Sequence, residues 1–213
     1  MDIAIYIFEK LTALDAIGPY EVLQRLPGAT VKFVGVDRRP VRTEQGMLSL
    51  GTDYTRDEVT HADILVVPGG IGTRALIGDE PTLEWIRAID AGSTWTTSVC
   101  TGSLLLGAAG LLLGKQATSH WAVLDMLGHF GAIPTMERVV EQGKIITAAG
   151  VSSGIDMALR LAAHVAGDDV AQAIQLGIEY DPQPPFDSGS LAKASDRVRK
   201  LALAGLSRSD TPR

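Results

Sequence analysis

The sequence predicts an α/β protein built on a mostly parallel central sheet that helices cover on both faces. Two observations support this fold class. Strand-like and helix-like segments alternate from the N-terminus onward, which is the pattern of βαβ units with right-handed crossovers. The segment Ala62–Val67 is almost purely apolar, as expected of a central parallel strand that is buried on both faces.

The predicted strands are short runs of apolar or β-branched residues that end at glycine, proline or polar residues. The long ones are Ile3–Phe8, Val31–Val36, Ala62–Val67 and Thr94–Val99. Shorter pairs are predicted around Gly46 and Gly143: Val41–Gln45 with Met47–Leu50, and Arg138–Glu141 with Lys144–Thr147.

The predicted helices begin at recognisable signals. Pro19 and Pro81 suit a first helical turn, where the missing N–H costs nothing, and Asp168 suits the positive end of a helix dipole. The helices are Pro19–Leu26, Pro81–Ala91, Thr101–Leu112, His120–Phe130, Ser152–Ala166, Asp168–Tyr180 and Ser190–Leu206. The proline-rich segment Asp181–Phe186 is predicted to be extended.

The length of 213 residues suits one large domain with a substantial core. We place a single domain in residues 1–190, followed by a C-terminal helix and a frayed tail in residues 191–213. The basic residues Arg197, Arg199 and Lys200 of this helix are expected to form a solvated face.

Charge and composition exclude several functional classes. The net charge of −6 argues against binding to nucleic acid or to anionic membranes. The apolar run Leu104–Leu113 is interrupted by glycines and is shorter than the ~20 residues that span a bilayer. The segment Met1–Phe8 lacks a basic n-region and is predicted to be a buried strand, not a signal peptide. Cys100 is the only cysteine, so a reducing cytoplasm is the expected compartment.

Cys100 stands where a β-branched strand turns into an apolar helix, with small residues after it. This context is typical of a nucleophile elbow that carries Cys in place of Ser. Nearby helical N–H groups favour the thiolate, so the sequence predicts a pKa well below that of a free cysteine. The alternative is an inert core cysteine, which the strand-to-helix context disfavours.

Two further segments are expected at the same edge, because open parallel sheets bind ligands outside the carboxyl ends of their strands. Asp15 either caps a helix or exchanges a proton with the thiol, in which case its pKa should be raised. The turn Gly69-Gly70-Ile71-Gly72 matches no phosphate-binding motif. It is either a flexible turn or an oxyanion pocket of backbone N–H groups.

The histidines give a weaker signal. His120 is a possible base for Cys100, although the residue next to the thiol is Thr101. His61, His120, His129 and His164 have no mutual spacing typical of a metal site, so no zinc is expected.

Five segments together resemble the ThiJ/PfpI superfamily, flavodoxin-like proteins related to class I glutamine amidotransferases. They are Asp15–Pro19, Pro68-Gly69-Gly70, Ser98–Ser103, Ala117–Trp121 and Gly150–Asp156. The resemblance covers nearly the whole chain, from Ile3 to about Phe186. It implies a three-layer flavodoxin-like sandwich.

Within the superfamily the chain is most similar to the isocyanide (isonitrile) hydratases, which are lyases. Asp before Gly18-Pro19, Thr101 after the cysteine and the tail Glu179–Phe186 carry this resemblance. It implies that Cys100 attacks the terminal carbon of an isocyanide, that Asp15 manages the proton, and that Thr101 orients Asp15 or water. A thioimidate forms, and water converts it to an N-substituted formamide.

The resemblance also implies which residues bind the substrate: Gly70, Ile71, His120, Trp121, Gly150 and Val151. The partners implied are a small isocyanide and water, with no cofactor, no metal, no nucleic acid and no membrane. A homodimer is expected by analogy with the superfamily, and apolar segments such as Gly18–Leu26 agree with one. Val151, Ser152 and Ala148-Ala149 depart from the subgroup's pattern, which affects the expected shape of the pocket.

Three other functions stay open. A glyoxalase or deglycase acting on α-oxoaldehydes is one, although such relatives usually have Glu in place of Asp15. A redox or ligand sensor without enzymatic activity is another, because an exposed reactive cysteine oxidises readily. The third is the sensor half of an AraC-type regulator, which needs a DNA-binding region after about residue 190.

Overall fold

A computed structural model describes residues 1–209 of the chain, with side chains described to Leu206. The strands are β1 (Asp2–Tyr6), β2 (Thr30–Gly35), β3 (Val41–Arg42), β4 (Ser49–Leu50), β5 (Tyr54–Thr55), β6 (Ile64–Val67), β7 (Trp95–Val99), β8 (Gln116–Ala117), β9 (Ile133–Pro134), β10 (Val139–Gln142) and β11 (Ile145–Ala148). Seven of them form the central sheet in the order β10-β11-β7-β6-β1-β2-β5. All neighbours in it are parallel except β10 and β11, so the predicted mostly parallel sheet is confirmed.

The helices are α1 (Ala13–Leu23), α2 (Thr73–Leu76), α3 (Glu80–Gly92), α4 (Gly102–Ala108), α5 (Ser153–Ala166), α6 (Asp168–Gly177) and α7 (Asp196–Ser209), with a 3₁₀ helix at Leu124–Phe130. Helix α5 packs against α1 and α6, whereas α4 packs against α2 and α3. These two groups flank the sheet, whose central strands β1 and β6 are almost entirely buried. The result is the flavodoxin-like α/β architecture.

Helix α1 begins well before the predicted Pro19, which lies in the helix interior. Small residues at its contact with α5 allow the two helices to approach closely: a Cβ added at Gly18 would lie 3.1 Å from Ile155, and one at Gly154 3.2 Å from Pro19. The apolar side chains of Val22 and Leu23 are buried in the chain's own core. The segment Gly18–Leu26 therefore gives no argument for a dimer.

The other differences are at element ends. Helix α4 stops at Ala108, short of the predicted Leu112, and the predicted helix at His120–Phe130 is a shorter 3₁₀ helix. The predicted pair around Gly143 is not separate but adds β10 and β11 to the central sheet. Helix α7 continues through Ser209, and the rest of the predicted frayed tail, residues 210–213, lies outside the described residues.

Within the described part, no helix is long and apolar enough to cross a membrane.

Candidate active site

Cys100 occupies a strained turn between β7 and α4. Its φ of 58° is positive, a conformation that side chains other than glycine rarely adopt and that marks a nucleophile elbow. The backbone N–H of Cys100 donates to the carbonyls of Ala148 at 3.0 Å and Ala149 at 2.9 Å. Its carbonyl accepts hydrogen bonds from the hydroxyls of Ser103 and Ser119, each at 3.0 Å. Hydrogen bonds to both the N–H and the carbonyl of Cys100 therefore stabilise the turn that the sequence predicts.

Two glycines allow the end of the neighbouring strand to lie close to this turn. A Cβ added at Gly69 would lie 2.5 Å from the backbone nitrogen of Thr101, and one at Gly102 would lie 2.0 Å from the carbonyl oxygen of Val67. Because real Cβ atoms do not approach so closely, only glycine fits at either position. These glycines bring the end of β6 directly against the thiol.

Asp15 lies in the first turn of α1 and is fully buried. Neither of its carboxyl oxygens accepts a hydrogen bond from a helical N–H of the described residues, which argues against the capping interpretation. Oδ2 instead accepts a hydrogen bond from the Gly69 N–H at 3.0 Å. Oδ1 is buried and has no hydrogen-bond partner among the described residues. The Cys100 thiol interacts with this carboxyl. The arrangement is that of a carboxyl held ready to exchange a proton with sulfur.

Asp15 and Cys100 both have a raised pKa, for partly different reasons. Burial raises the pKa of Asp15 to about 7, although the hydrogen bonds from Gly69 and Cys100 lower it. Burial and the negative charge of Asp15 likewise raise the pKa of the Cys100 thiol well above its ordinary value. The expected low pKa of Cys100 is therefore not found, because burial and a like charge outweigh the nearby N–H donors. Near neutral pH the pair holds a thiol beside a carboxyl that is partly ionised.

Two backbone N–H groups face the sulfur, and neither belongs to the glycine-rich turn Gly69–Gly72. The N–H groups of Thr101 and Val151 are the ones that stabilise a Cys100 thiolate. The Gly69 N–H is used by Asp15, and the Gly70 N–H donates to the Thr101 hydroxyl at 2.8 Å. The glycine-rich turn therefore positions the carboxyl and Thr101 and does not form an oxyanion pocket.

Thr101 holds the glycine-rich turn in place and does not contact Asp15 directly. Its hydroxyl accepts from the Gly70 N–H and lies 3.1 Å from the Gly70 carbonyl, to which it donates. Thr101 therefore anchors the peptide that follows Gly69, the residue whose N–H binds Asp15.

A cavity of about 290 Å³ opens at the thiol. Most of its wall is apolar, with a few polar groups near the sulfur, as is common for small-molecule sites. The lining residues are Thr12, Glu44, Gly70, Ile71, Thr73, Arg74, Ile77, Cys100, Thr101, Leu104, His120, Ala122, Val123, Met126, Val151, Leu203 and Leu206.

The cavity brings together most of the residues that the sequence indicated, with two exceptions. Cys100, Thr101, Gly70, Ile71, His120 and Val151 line it, and Asp15 lies behind Cys100. Gly150 is not a lining residue but packs under His120, whose Cδ2 would lie 2.7 Å from an added Cβ. Trp121 faces a separate groove, formed with residues of the segment 188–202.

His120 is not paired with the thiol. Its Nδ1 accepts a hydrogen bond from the Ala122 N–H at 3.3 Å, and burial lowers the pKa of the ring. A neutral imidazole whose Nδ1 accepts a hydrogen bond carries its proton on Nε2. His120 is therefore a hydrogen-bond donor at the cavity wall.

Sequence reasoning missed many of the lining residues, among them Glu44, Thr12 and, from α7, Leu203 and Leu206. Glu44 lies between β3 and β4, and only the pairing of this hairpin with the loop after β1 brings it near Cys100. The i, i+3 spacing of Leu203 and Leu206 indicates an apolar helix face but not what it covers.

The described residues include no cluster of three or more His, Cys, Asp or Glu side chains placed to hold a metal ion. The chemistry available at the cavity is therefore that of a thiol, a buried carboxyl and the polar groups around them.

Comparisons with known proteins identify the relatives of this chain. The chain is 46% identical over 210 residues to an isonitrile hydratase of Pseudomonas putida, covering 97% of this chain and 92% of that protein. It is 39% identical to a ThiJ/PfpI family protein of Pseudomonas syringae whose crystal structure it matches with a TM-score of 0.91, covering 98% of this chain and 88% of the other.

A more distant relative is a transcriptional regulator. The chain is 29% identical over 169 residues to the HTH-type transcriptional regulator CdhR of Pseudomonas aeruginosa, covering 77% of this chain but 49% of the regulator. Residues 1–164 match the DJ-1/PfpI family, and this match includes the elbow cysteine and the buried Asp15. Because the family match covers more than half of the chain, the chain belongs to the DJ-1/PfpI family.

Proposed function

We propose that this protein hydrates isocyanides, R–N≡C, to N-substituted formamides, R–NH–CHO. The observation that carries the proposal is a thiol paired with a fully buried carboxyl of raised pKa at one end of a mostly apolar cavity. The similarity to an isonitrile hydratase over nearly the whole chain supports it. An isocyanide has a small electrophilic carbon and an apolar substituent, which suit the thiol and the cavity respectively.

The first step is addition of the Cys100 thiol to the terminal carbon. The S–H bond breaks, an S–C bond forms, and the same carbon gains a proton, giving the thioimidate R–N=CH–S–Cys. Asp15 as a carboxylate takes the thiol proton and passes it to the carbon that is bound to sulfur. The reaction therefore starts from a Cys100 thiol beside an Asp15 carboxylate. The pKa of about 7 for Asp15 makes this carboxylate available near neutral pH.

The second step is addition of water to the thioimidate carbon. One water proton reaches nitrogen, giving R–NH–CH(OH)–S–Cys. The C–S bond then breaks as the hydroxyl becomes the formamide carbonyl, and its proton returns to sulfur through Asp15. The N–H groups of Thr101 and Val151 stabilise the departing thiolate.

The lining residues have separate roles in this scheme. Gly70, Ile71 and Val151 form the wall beside the sulfur, and the Nε2–H of His120 is directed to the substrate or to water. Gly150 sets the position of the His120 ring. Trp121 acts on binding only indirectly, through the segment that packs on it.

The test is formamide production from a series of isocyanides of increasing size, with methylglyoxal assayed in parallel. We expect turnover of isocyanides, none by Cys100→Ala, and little conversion of methylglyoxal. Conversion of methylglyoxal alone would favour the glyoxalase function. Turnover of neither, with ready oxidation of Cys100 detected by mass spectrometry, would favour the sensor function.

We also propose that the protein acts as a homodimer in the cytoplasm. Analogy with the superfamily supports the dimer, and Cys100 as the only cysteine supports a reducing compartment. Light scattering at micromolar concentration tests the dimer, and a monomeric mass would contradict it.

A further inference from the structure

Glu44 supplies a carboxylate to the cavity that contains Cys100, and no other described lining residue carries one. Asp15, by contrast, is fully buried and does not line the cavity. The addition step needs only Asp15. Water, by contrast, must approach the thioimidate carbon from the cavity and must lose a proton there.

The Glu44 side chain is held in a fixed orientation. Its backbone N–H donates to the Leu11 carbonyl at 3.1 Å, and its Oε2 accepts from the Thr12 hydroxyl at 3.1 Å. Thr12 is the N-cap residue of α1, yet its hydroxyl caps no helical N–H and binds Glu44 instead. Oε1 has no hydrogen-bond donor among the described residues, which leaves it available to water.

The other polar groups at the cavity are less suited to accept a proton from water. The Thr101 hydroxyl is engaged with both polar atoms of the Gly70 peptide. The Nδ1 of His120 already accepts the Ala122 N–H, so its Nε2 carries a proton. The negative charge of Glu44 also reaches the reacting pair, because it contributes to the raised pKa of Asp15.

We propose that Glu44 is the general base of the hydration step, a role that rests on the proposed isocyanide hydration. Its carboxylate takes one proton from the attacking water as the O–C bond forms, and then gives that proton to the substrate nitrogen as the C=N bond becomes single. Glu44 returns to its carboxylate form with each turnover. Asp15 thus handles the proton exchanged between carbon and sulfur, and Glu44 handles the proton exchanged between water and nitrogen.

The experiment compares Glu44→Gln with wild type by rapid mixing with an isocyanide and intact-protein mass spectrometry. Gln keeps the acceptor for the Thr12 hydroxyl but cannot take a proton. We expect the Cys100 adduct, heavier by one isocyanide, to form at nearly the wild-type rate and to accumulate, while turnover falls about 10²-fold, the usual scale for a lost general base. Turnover at the wild-type rate, or loss of adduct formation itself, would overturn the proposal.

Glu9→Gln is the matched control, because Glu9 anchors the same hairpin through the Arg42 N–H at 3.1 Å but does not line the cavity. It should turn over like wild type and accumulate no adduct. Adduct accumulation in Glu9→Gln as well would assign the effect to the hairpin and contradict the role of Glu44.

Chemical rescue separates a proton-transfer role from a structural one. In Glu44→Ala, added formate should restore adduct breakdown in a concentration-dependent way, since it supplies a carboxylate in the space left by the side chain. No rescue, with the adduct persisting at saturating formate, would count against a general base at this position. If wild type forms no formamide from any isocyanide, the proposed function fails before this question arises.

Discussion

The two walls of the cavity differ in hydrogen bonding and in the burial of their side chains. The inner wall, defined by Gly70, Cys100, Thr101 and Val151, lies at the edge of the central sheet and is tied together by backbone hydrogen bonds. The outer wall, defined by Leu203 and Leu206 of α7, keeps 46% and 41% of these side chains exposed. The outer wall follows the irregular segment that contains the prolines after Tyr180.

This difference indicates a division of tasks. In the proposed reaction the inner wall positions the thiol and the groups around it, and small displacements there affect the chemistry strongly. The outer wall provides apolar surface that can adapt to the substituent of the substrate. Substitutions in the inner wall should therefore change turnover or stability, and substitutions in the outer wall should change substrate preference.

The largest effect is expected for Asp15→Asn. Asn keeps the shape of the side chain and can accept the Gly69 N–H, but it cannot carry the thiol proton to carbon. Turnover of isocyanides should fall about 10²-fold or more, measured by formamide formation at saturating substrate. Turnover at the wild-type rate would show that the carboxyl is not part of the chemistry.

Stability should depend on pH through the same residue. The pKa of Asp15 is raised from 3.8 to about 7 on folding, so the folded state binds a proton more tightly and the free energy of unfolding should fall as pH rises from about 4 to 7. This loss is on the order of 3 kcal/mol. Asp15→Asn should be more stable than wild type at pH 8, and the difference should shrink at pH 4. Urea unfolding at both values tests this, and an equal gap at both pH values would contradict it.

A pair of glycine substitutions compares the two walls directly. Gly102→Ala places a methyl group 2.0 Å from the Val67 carbonyl oxygen, and we expect it to destabilise the fold by about 1–3 kcal/mol or more. Gly205→Ala in α7 meets no atom within 4 Å and should stabilise the helix by about 0.5–1 kcal/mol. Thermal unfolding of both variants measures the contrast, and destabilisation by Gly205→Ala would mean that the outer wall is as tightly packed as the inner one.

The smallest effect on catalysis is expected for Leu203→Ala. Because the side chain is half exposed, its removal should raise KM for a bulky isocyanide by about fivefold, equivalent to roughly 1 kcal/mol of lost apolar contact. KM for methyl isocyanide and kcat for both substrates should stay within twofold. A lower kcat for the small substrate would indicate that α7 positions the reacting groups.

Much of the fold could be predicted because its signals are local. The alternation of strands and helices, the apolar strand at Ala62–Val67 and the turn at Cys100 all appear in the sequence and in the structure. Element ends were less predictable. The sequence predicts a helix start at Pro19, whereas the structure has Pro19 inside α1, where it packs against Gly154 of α5.

The candidate site could be predicted only in part. Cys100, Asp15 and Thr101 follow strand ends, and parallel strand ends meet at one edge. Glu44 and Leu203 come from a hairpin and a distant helix, whose positions depend on pairing and packing between parts of the chain that are far apart in sequence.

The sequence by itself determined the fold class and indicated Cys100 and Asp15 as candidates at one edge of the sheet, because residue type and position relative to a strand end are local properties. Only the tertiary structure decided the protonation of that pair, since burial raises the pKa of Asp15, and burial together with the negative charge of Asp15 raises the pKa of Cys100. It also decided which N–H groups face the sulfur and which side chains close the cavity. These depend on distances between segments, and such distances exist only after the chain has folded.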